Sequence, residues 1–277
     1  MKITVLMENS TPSDRICARH GLSLFLETAA PRVLFDMVPD AAFLAHARAL
    51  GVDIAAADVA VLSHGHFDHS GGLAAYLQET DGLPSPAPVY ASRHAFEEHA
   101  AKTPKGMKDI GADPALAASP RIVPVDRELR IDADLTLFSQ VEPAELAPQS
   151  NASLMEHTSD GYAPDRFVHE QSLLLSEGDK RVLVSGCSHC GIVNIMRRAE
   201  ELAGGPLNAV VAGFHLMDPG SGSVEDPQVT RQIARFMAQR PTRYFTFHCT
   251  GLEAFSLLRD ELGERVRYLN AGSNVEV

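Results

Sequence analysis

Asp58-Val59-Ala60-Val61-Leu62-Ser63 runs directly into His64-Gly65-His66-Phe67-Asp68-His69, and Ser70-Gly71-Gly72-Leu73 follows. The leading apolar run reads as a buried strand and the glycines as the entry to a helix. Four side chains able to bind a metal therefore fall within six residues at the end of a strand. Burying them without a cation would leave unpaired polar and charged groups, each at a cost of several kcal/mol. Imidazole and carboxylate ligands suit divalent zinc, manganese or iron. A solvated histidine-rich loop is the plainer reading, and the strand before and glycines after disfavour it. The spacing also disfavours a cysteine-rich structural zinc site.

Working outward, strand-like and helix-like segments alternate. Gly21–Glu27 and Arg32–Asp36 read as neighbouring strands turning around Pro31, and Asp40 can cap a helix with Phe43, Leu44, Ala47 and Leu50 on one face, stopped by Gly51. Downstream, Ser172–Leu175 and Arg181–Ser185 flank a polar turn, and a helix is predicted from about Gly191 to Ala203. Ala209–Ala212 is a further strand. Asp226-Pro227 makes a helix cap with proline first, opening a helix with Val229, Ile233 and Phe236 inward. Tyr244–Phe247, a Leu252–Leu262 helix and Val266–Leu269 complete a mixed α/β chain. Its remaining His and Cys clusters also follow strands, where α/β sheets hold their sites. They are Cys187-Ser188-His189-Cys190-Gly191, Gly213-Phe214-His215-Leu216 and Phe247-His248-Cys249-Thr250-Gly251, with His169-Glu170 just ahead of a strand.

Composition narrows the partners. With 24 Lys+Arg against 36 Asp+Glu in 277 residues, the formal net charge is −12, and no run of basic residues offers a stripe for a phosphate backbone. Nucleic acid is thus not expected as a partner. Neither is a membrane: there is no signal-like core and no apolar run of spanning length, so a cytoplasmic protein is expected. Four cysteines in a chain of this length read as thiols rather than disulfides. One domain over 1–277 is expected. The stretches 100–120 and 143–168, rich in Ala, Pro, Ser, Asn and Gly without sustained period, read as loops, either pocket walls or plain surface insertions. His20, His46, His94, His99 and His157 are expected at the surface.

His64-x-His66-x-Asp68-His69 after a buried strand resembles the signature of the metallo-β-lactamase-fold superfamily. The resemblance implies an αββα four-layer sandwich of two mixed β-sheets flanked by helices. It implies two divalent metal ions, zinc first, with His64 and His66 on one ion, and Asp68, His69 and His248 on the other. Cys187 stands where most members carry a bridging Asp, which leaves open whether one metal or two bind. His189 is the third ligand to the first ion, with His169 its rival. Glu170 and Cys187 are further candidates beside the metals, and Asp36 fits a structural carboxylate. His215 is assigned a catalytic role in proton transfer alongside Asp68. The di-iron members that reduce oxygen or nitric oxide carry Glu where His66 stands, and a flavin domain; this chain has neither. Hydrolysis by metal-activated water, of a phosphate ester or a diphosphate-containing small molecule, is therefore expected.

His20-Gly-Leu-Ser, Gly186-Cys-Ser-His-Cys-Gly-Ile-Val-Asn194, Gly213-Phe-His-Leu216 and His248-Cys-Thr-Gly251 narrow the resemblance. It is to the subgroup of the dihydropterin-methyl-ribofuranosylaminobenzene 5'-phosphate synthase. That implies an alternative in which an arylamine displaces diphosphate. A non-catalytic metal- or ligand-binding regulator and a redox protein using Cys187 and Cys190 are the rivals from other classes. The partner expected is a phosphorylated small molecule, with self-association open.

Overall fold

Val33 and Phe35 bury their side chains in one apolar cluster while Leu34, between them, lies in another, and Val182, Leu183 and Val184 divide in the same way. Such unbroken apolar runs belong to strands covered on both faces. The computed structural model, which describes residues 1–29 and 31–277, arranges them in two seven-stranded sheets. The first orders its strands Asn274–Glu276, Lys2–Met7, Ser23–Glu27, Arg32–Phe35, Val59–Val61, Val89–Ser92 and Ile122–Val125. The second runs Val266–Tyr268, Arg243–Thr246, Ala209–Val211, Lys180–Val184, Gln171–Glu177, Leu135–Ser139 and Glu128–Arg130.

Ile3, Val5, Phe35 and Val61 of the first sheet meet Leu173, Val182, Val184 and Val211 of the second in a central core. The outer face of the first sheet packs on helices Ala42–Ala49 and Leu73–Glu79 through Phe43, Leu44, Leu73 and Tyr76. The outer face of the second packs on Ile192–Ala203, Pro227–Ala238 and Leu252–Leu262. This is the αββα sandwich that the sequence implied. The cap expected at Asp226 is in place, its Oδ1 accepting from Gln228 N–H at 2.7 Å; Asp40 lies one residue before the N-cap, Ala41, and its Oδ1 accepts from Ala42 N–H at 2.8 Å in the turn leading into the helix.

Both sheets are mixed. Arg32–Phe35 pairs antiparallel with Ser23–Glu27 and parallel with Val59–Val61; Lys180–Val184 pairs antiparallel with Gln171–Glu177 and parallel with Ala209–Val211. The parallel strands end at the same edge of the sandwich, where the candidate site lies.

The structure corrects two expectations. The stretches 100–120 and 143–168 are not loops throughout. Strands Gly161–Pro164, Leu154–Thr158, His99–Thr103 and Gly106–Asp109 form a third, antiparallel sheet across them. Its exposed faces and small residues gave no period-2 pattern to read. His46 and His99 are buried, not superficial. His46 spans Leu6 O and Cys17 N–H, and His99 faces Asp165, so each ring is carried inward by a polar partner. Among the described residues no helix is long and apolar enough to cross a membrane.

Candidate metal centre

Strands Val59–Val61, Lys180–Val184, Ala209–Val211 and Arg243–Thr246 deliver His64, Cys187, His215 and His248 from both sheets to one place. The two sheets' loops touch at Gly186: a Cβ there would lie 2.2 Å from Ser63 Oγ and 3.2 Å from His64 Nδ1. Only glycine fits that crossing. Asp36, Ser188, His215 and His248 all hold positive φ, between 48° and 61°. Such backbone strain in residues other than glycine is characteristic of functional sites.

Hydrogen bonds fix which ring nitrogen of His64, His69, His189 and His248 is free. Asp36 accepts from Ser63 N–H and Ser63 Oγ–H, both at 2.7 Å, so Ser63 Oγ is left to accept from His64 Nδ1–H at 2.8 Å. Asp36 also faces His69 Nδ1 at 2.6 Å. Asn151 donates its amide to His189 O, which turns Asn151 Oδ1 toward His189 Nδ1 at 3.0 Å. Asn9 Oδ1 takes His248 Nδ1 at 2.8 Å. With Nδ1 protonated in each, the Nε2 lone pairs converge. Nε2 of His64, His66 and His189 are buried with no partner among the described residues. Nε2 of His69 lies 3.2 Å from Nε2 of His248 and from Cys187 Sγ, and His248 Nε2 lies 3.2 Å from Asp68 Oδ2. Lone pairs and a carboxylate so close repel unless a cation or proton lies between them.

The groups that could hold a metal follow: His64, His66 and His189; His64, His69 and Cys187; Cys187, His248 and Cys249; Cys187, His189 and His215; His20, Asp68 and His248. In each, the ligand atoms lie within 4.8 Å of one another. Burial and neighbouring imidazoles push His64, His66 and His189 well below the usual histidine range, which keeps them neutral as ligands must be. Burial opposes charge on His69, but Asp36 and Asp68 raise it to about 9. The donor set fits divalent cations held by nitrogen, oxygen and sulfur.

His169 and Glu170 stand behind this cluster. His169 Nδ1 accepts from Gly65 N–H at 3.0 Å and its Nε2 faces Asp165 at 3.2 Å, so both nitrogens are taken, whereas His189 Nε2 is free. Glu170 accepts from the N–H groups of His189 and Cys190, at 2.6 and 2.9 Å, and fixes the turn after Val184. Cys190 packs among the helices of the second sheet while Cys187 faces the histidines, so the two thiols point to different surroundings. Neither nitrogen of buried His215 has a partner among the described residues. Its ring sits 4.2 Å from that of His189.

Sequence reasoning missed Asn9, Asn151, Cys249 and the pair Asp165–His99, and it placed His20 at the surface without a role. His20 is exposed, but its Nε2 lies 3.2 Å from Asp68 Oδ2. Asn9 did carry a faint signal, as the polar residue that follows the first strand at the same edge. Asn151 lay in a stretch with no period at all.

Residues 18–221 match the Metallo-beta-lactamase superfamily, and the chain belongs to that family. It is 25% identical over 274 residues to 7,8-dihydropterin-6-methyl-4-(beta-D-ribofuranosyl)-aminobenzene-5'-phosphate synthase of Methanocaldococcus jannaschii, covering 94% of this chain and 90% of that one. Tm1679, described as a metal-dependent hydrolase of the beta-lactamase superfamily, superposes with a TM-score of 0.82 at 26% identity, covering 100% of this chain and 99% of the other. Zn2+-bound PqqB from Methylobacterium extorquens shares the fold over the full length of both chains, with a TM-score of 0.61 at 11% identity.

Proposed function

We propose that the chain is a metal-dependent hydrolase of a small phosphorylated molecule, a phosphate ester or a diphosphate. The convergence of buried histidine Nε2 atoms, those of His64, His66 and His189 without a partner among the described residues, in overlapping groups with Asp68, Cys187 and Cys249 carries the reading. His64, His66 and His189 would hold one divalent ion, and Asp68, His69 and His248 a second, with Cys187 beside both. When bound, such ions lower the pKa of water and offset charge growing on a phosphoryl oxygen. The protein's part is to fix the ligands: Asp36, Ser63, Asn9 and Asn151 hold the imidazoles in one tautomer and direction. His215, whose ring nitrogens are buried without a hydrogen-bond partner among the described residues, would move a proton to the leaving group.

A second reading is favoured by the likeness to the synthase over 94% of the chain. An arylamine nitrogen would bond to a pterin methylene carbon as the carbon–oxygen bond to diphosphate breaks. The amine proton would pass to His215. Both readings place a phosphate group at the same ligands. The substrate is proposed to be a small molecule, not a nucleic acid, met in the cytoplasm.

Elemental analysis of the purified protein, with turnover of chromogenic phosphodiester, phosphomonoester and lactone probes, tests the reading. Bound metal with phosphodiester or diphosphate turnover is expected. No turnover after reconstitution with zinc, manganese or iron would overturn the hydrolase reading and shift weight to the transfer reaction or to a binding protein.

A further inference from the structure

The chain has five lysines, and three of them, Lys102, Lys105 and Lys108, fall in the seven residues of one hairpin. That hairpin, strands His99–Thr103 and Gly106–Asp109 of the third sheet, carries one acidic residue, Asp109 at its end, with Glu97 and Glu98 just ahead of its first strand, in a molecule of net charge −12. All three lysines are exposed, and none has a side-chain hydrogen bond or ion pair among the described residues. The other two are engaged: Lys2 pairs with Glu27 and Lys180 donates to Val277 O.

The hairpin is tied to the candidate metal centre. Phe67 N–H donates to Ile110 O at 2.7 Å, His66 bridges Gly111, and the His66 and His99 rings lie 5.8 Å apart. The neighbouring strand, Leu154–Thr158, begins three residues after Asn151, which holds His189. The small sheet thus stands on the turns that carry His66 and His189. At about 3.3 Å per residue, Lys102 and Lys108 lie roughly 7–10 Å along the hairpin from its base and Lys105, in the turn, roughly 17–20 Å; because Lys102 pairs with Met107 and Lys108 with Ala101, these two project from opposite faces of the sheet. For Lys102 and Lys108 that is about the Debye length at physiological salt, so their charge reaches the base of the hairpin partly screened and more fully at low salt.

We propose that this hairpin is an electrostatic arm, which draws a charged phosphate-bearing group of the substrate toward the metal ligands. The proposal rests on the phosphorylated-substrate reading above. Lysines on an edge strand also keep that edge from pairing with another chain. That role alone would leave substrate kinetics untouched by salt.

The test is the triple variant Lys102→Gln, Lys105→Gln, Lys108→Gln, with Lys2→Gln, Lys180→Gln, which removes two positive charges elsewhere, as the control for charge lost away from the hairpin. For a dianionic phosphomonoester probe, the Coulomb attraction of two charges at about 10 Å and one at about 20 Å predicts roughly a sevenfold loss of kcat/KM at about 20 mM salt, shrinking to about twofold at 0.15 M. The loss should fall on KM, be absent for a neutral lactone, and be restored by arginine at the same positions. Inorganic pyrophosphate binding, followed by calorimetry, should weaken in parallel. If no phosphate probe turns over, the hydrolase reading fails by itself and pyrophosphate binding decides the arm. Equal pyrophosphate affinity in the wild type and triple variant overturns the proposal, as does a triple variant that loses only binding to RNA or to anionic vesicles.

Discussion

Replacing Gly186 by alanine places a methyl carbon 2.2 Å from Ser63 Oγ and 2.8 Å from Ser63 Cβ. Neither atom is the end of a flexible chain, so the Ser63 side chain must leave its position. It then loses the bond to Asp36 and the one from His64. A buried bond to a carboxylate is worth about 2 kcal/mol and the neutral one about 1 kcal/mol, for a loss of about 3 kcal/mol. In a chain of this size that lowers the melting temperature by roughly 6–12 °C. His64 would also lose the partner that orients its ring, and metal affinity should fall about 10- to 100-fold. Urea unfolding and equilibrium dialysis against zinc measure the two effects. The double variant Gly186→Ala, Ser63→Gly should lie close in stability to Ser63→Gly alone, because both Ser63 contacts have gone and only the 3.2 Å approach to His64 Nδ1 remains. A Gly186→Ala protein within about 1 kcal/mol of wild type, with full metal content, would refute the reasoning.

Replacing both His64 and Asp68 by alanine should remove bound metal and activity together, read by elemental analysis and probe turnover. Asn151→Ala and Asn9→Ala each free one imidazole to rotate, so metal affinity should drop about 10- to 100-fold while circular dichroism stays unchanged. Burial works to raise the Asp165 carboxyl, yet hydrogen bonds from His169 and His99 hold it well below the usual range. The stability it contributes is therefore present above its unfolded value near pH 4 and is lost below, by about 1.4 kcal/mol per pH unit. Unfolding at pH 7 and pH 3 should show the gap between wild type and Asp165→Asn narrowing; a constant gap would exclude this origin.

The sandwich was legible because runs such as Val33-Leu34-Phe35 and Val182-Leu183-Val184 are apolar at every position, as strands covered on both faces require. The cluster His64–His69 was legible because its donors are close in sequence. The groups behind it were not. Asn9 and His248 are 239 residues apart, and Asn151 and His189 are 38 apart. No local pattern marks an asparagine whose work is to hold a distant imidazole. His99 looked superficial because its apolar neighbours are alanines; its burial comes from Asp165 across the third sheet. The third sheet itself was hidden by exposure on its outer strand, where all of Gly106–Asp109 faces solvent.

His64, His66, Asp68 and His69 come from the first sheet's half of the chain, and Cys187, His189, His215 and His248 from the second's. A cation bound by both sets would act as a rivet through the two sheets. Its binding energy would then count toward cohesion of the whole sandwich, by about 4 kcal/mol when free metal exceeds its dissociation constant a thousandfold. A chelator should thus do more than silence the centre: it should loosen the two halves from each other.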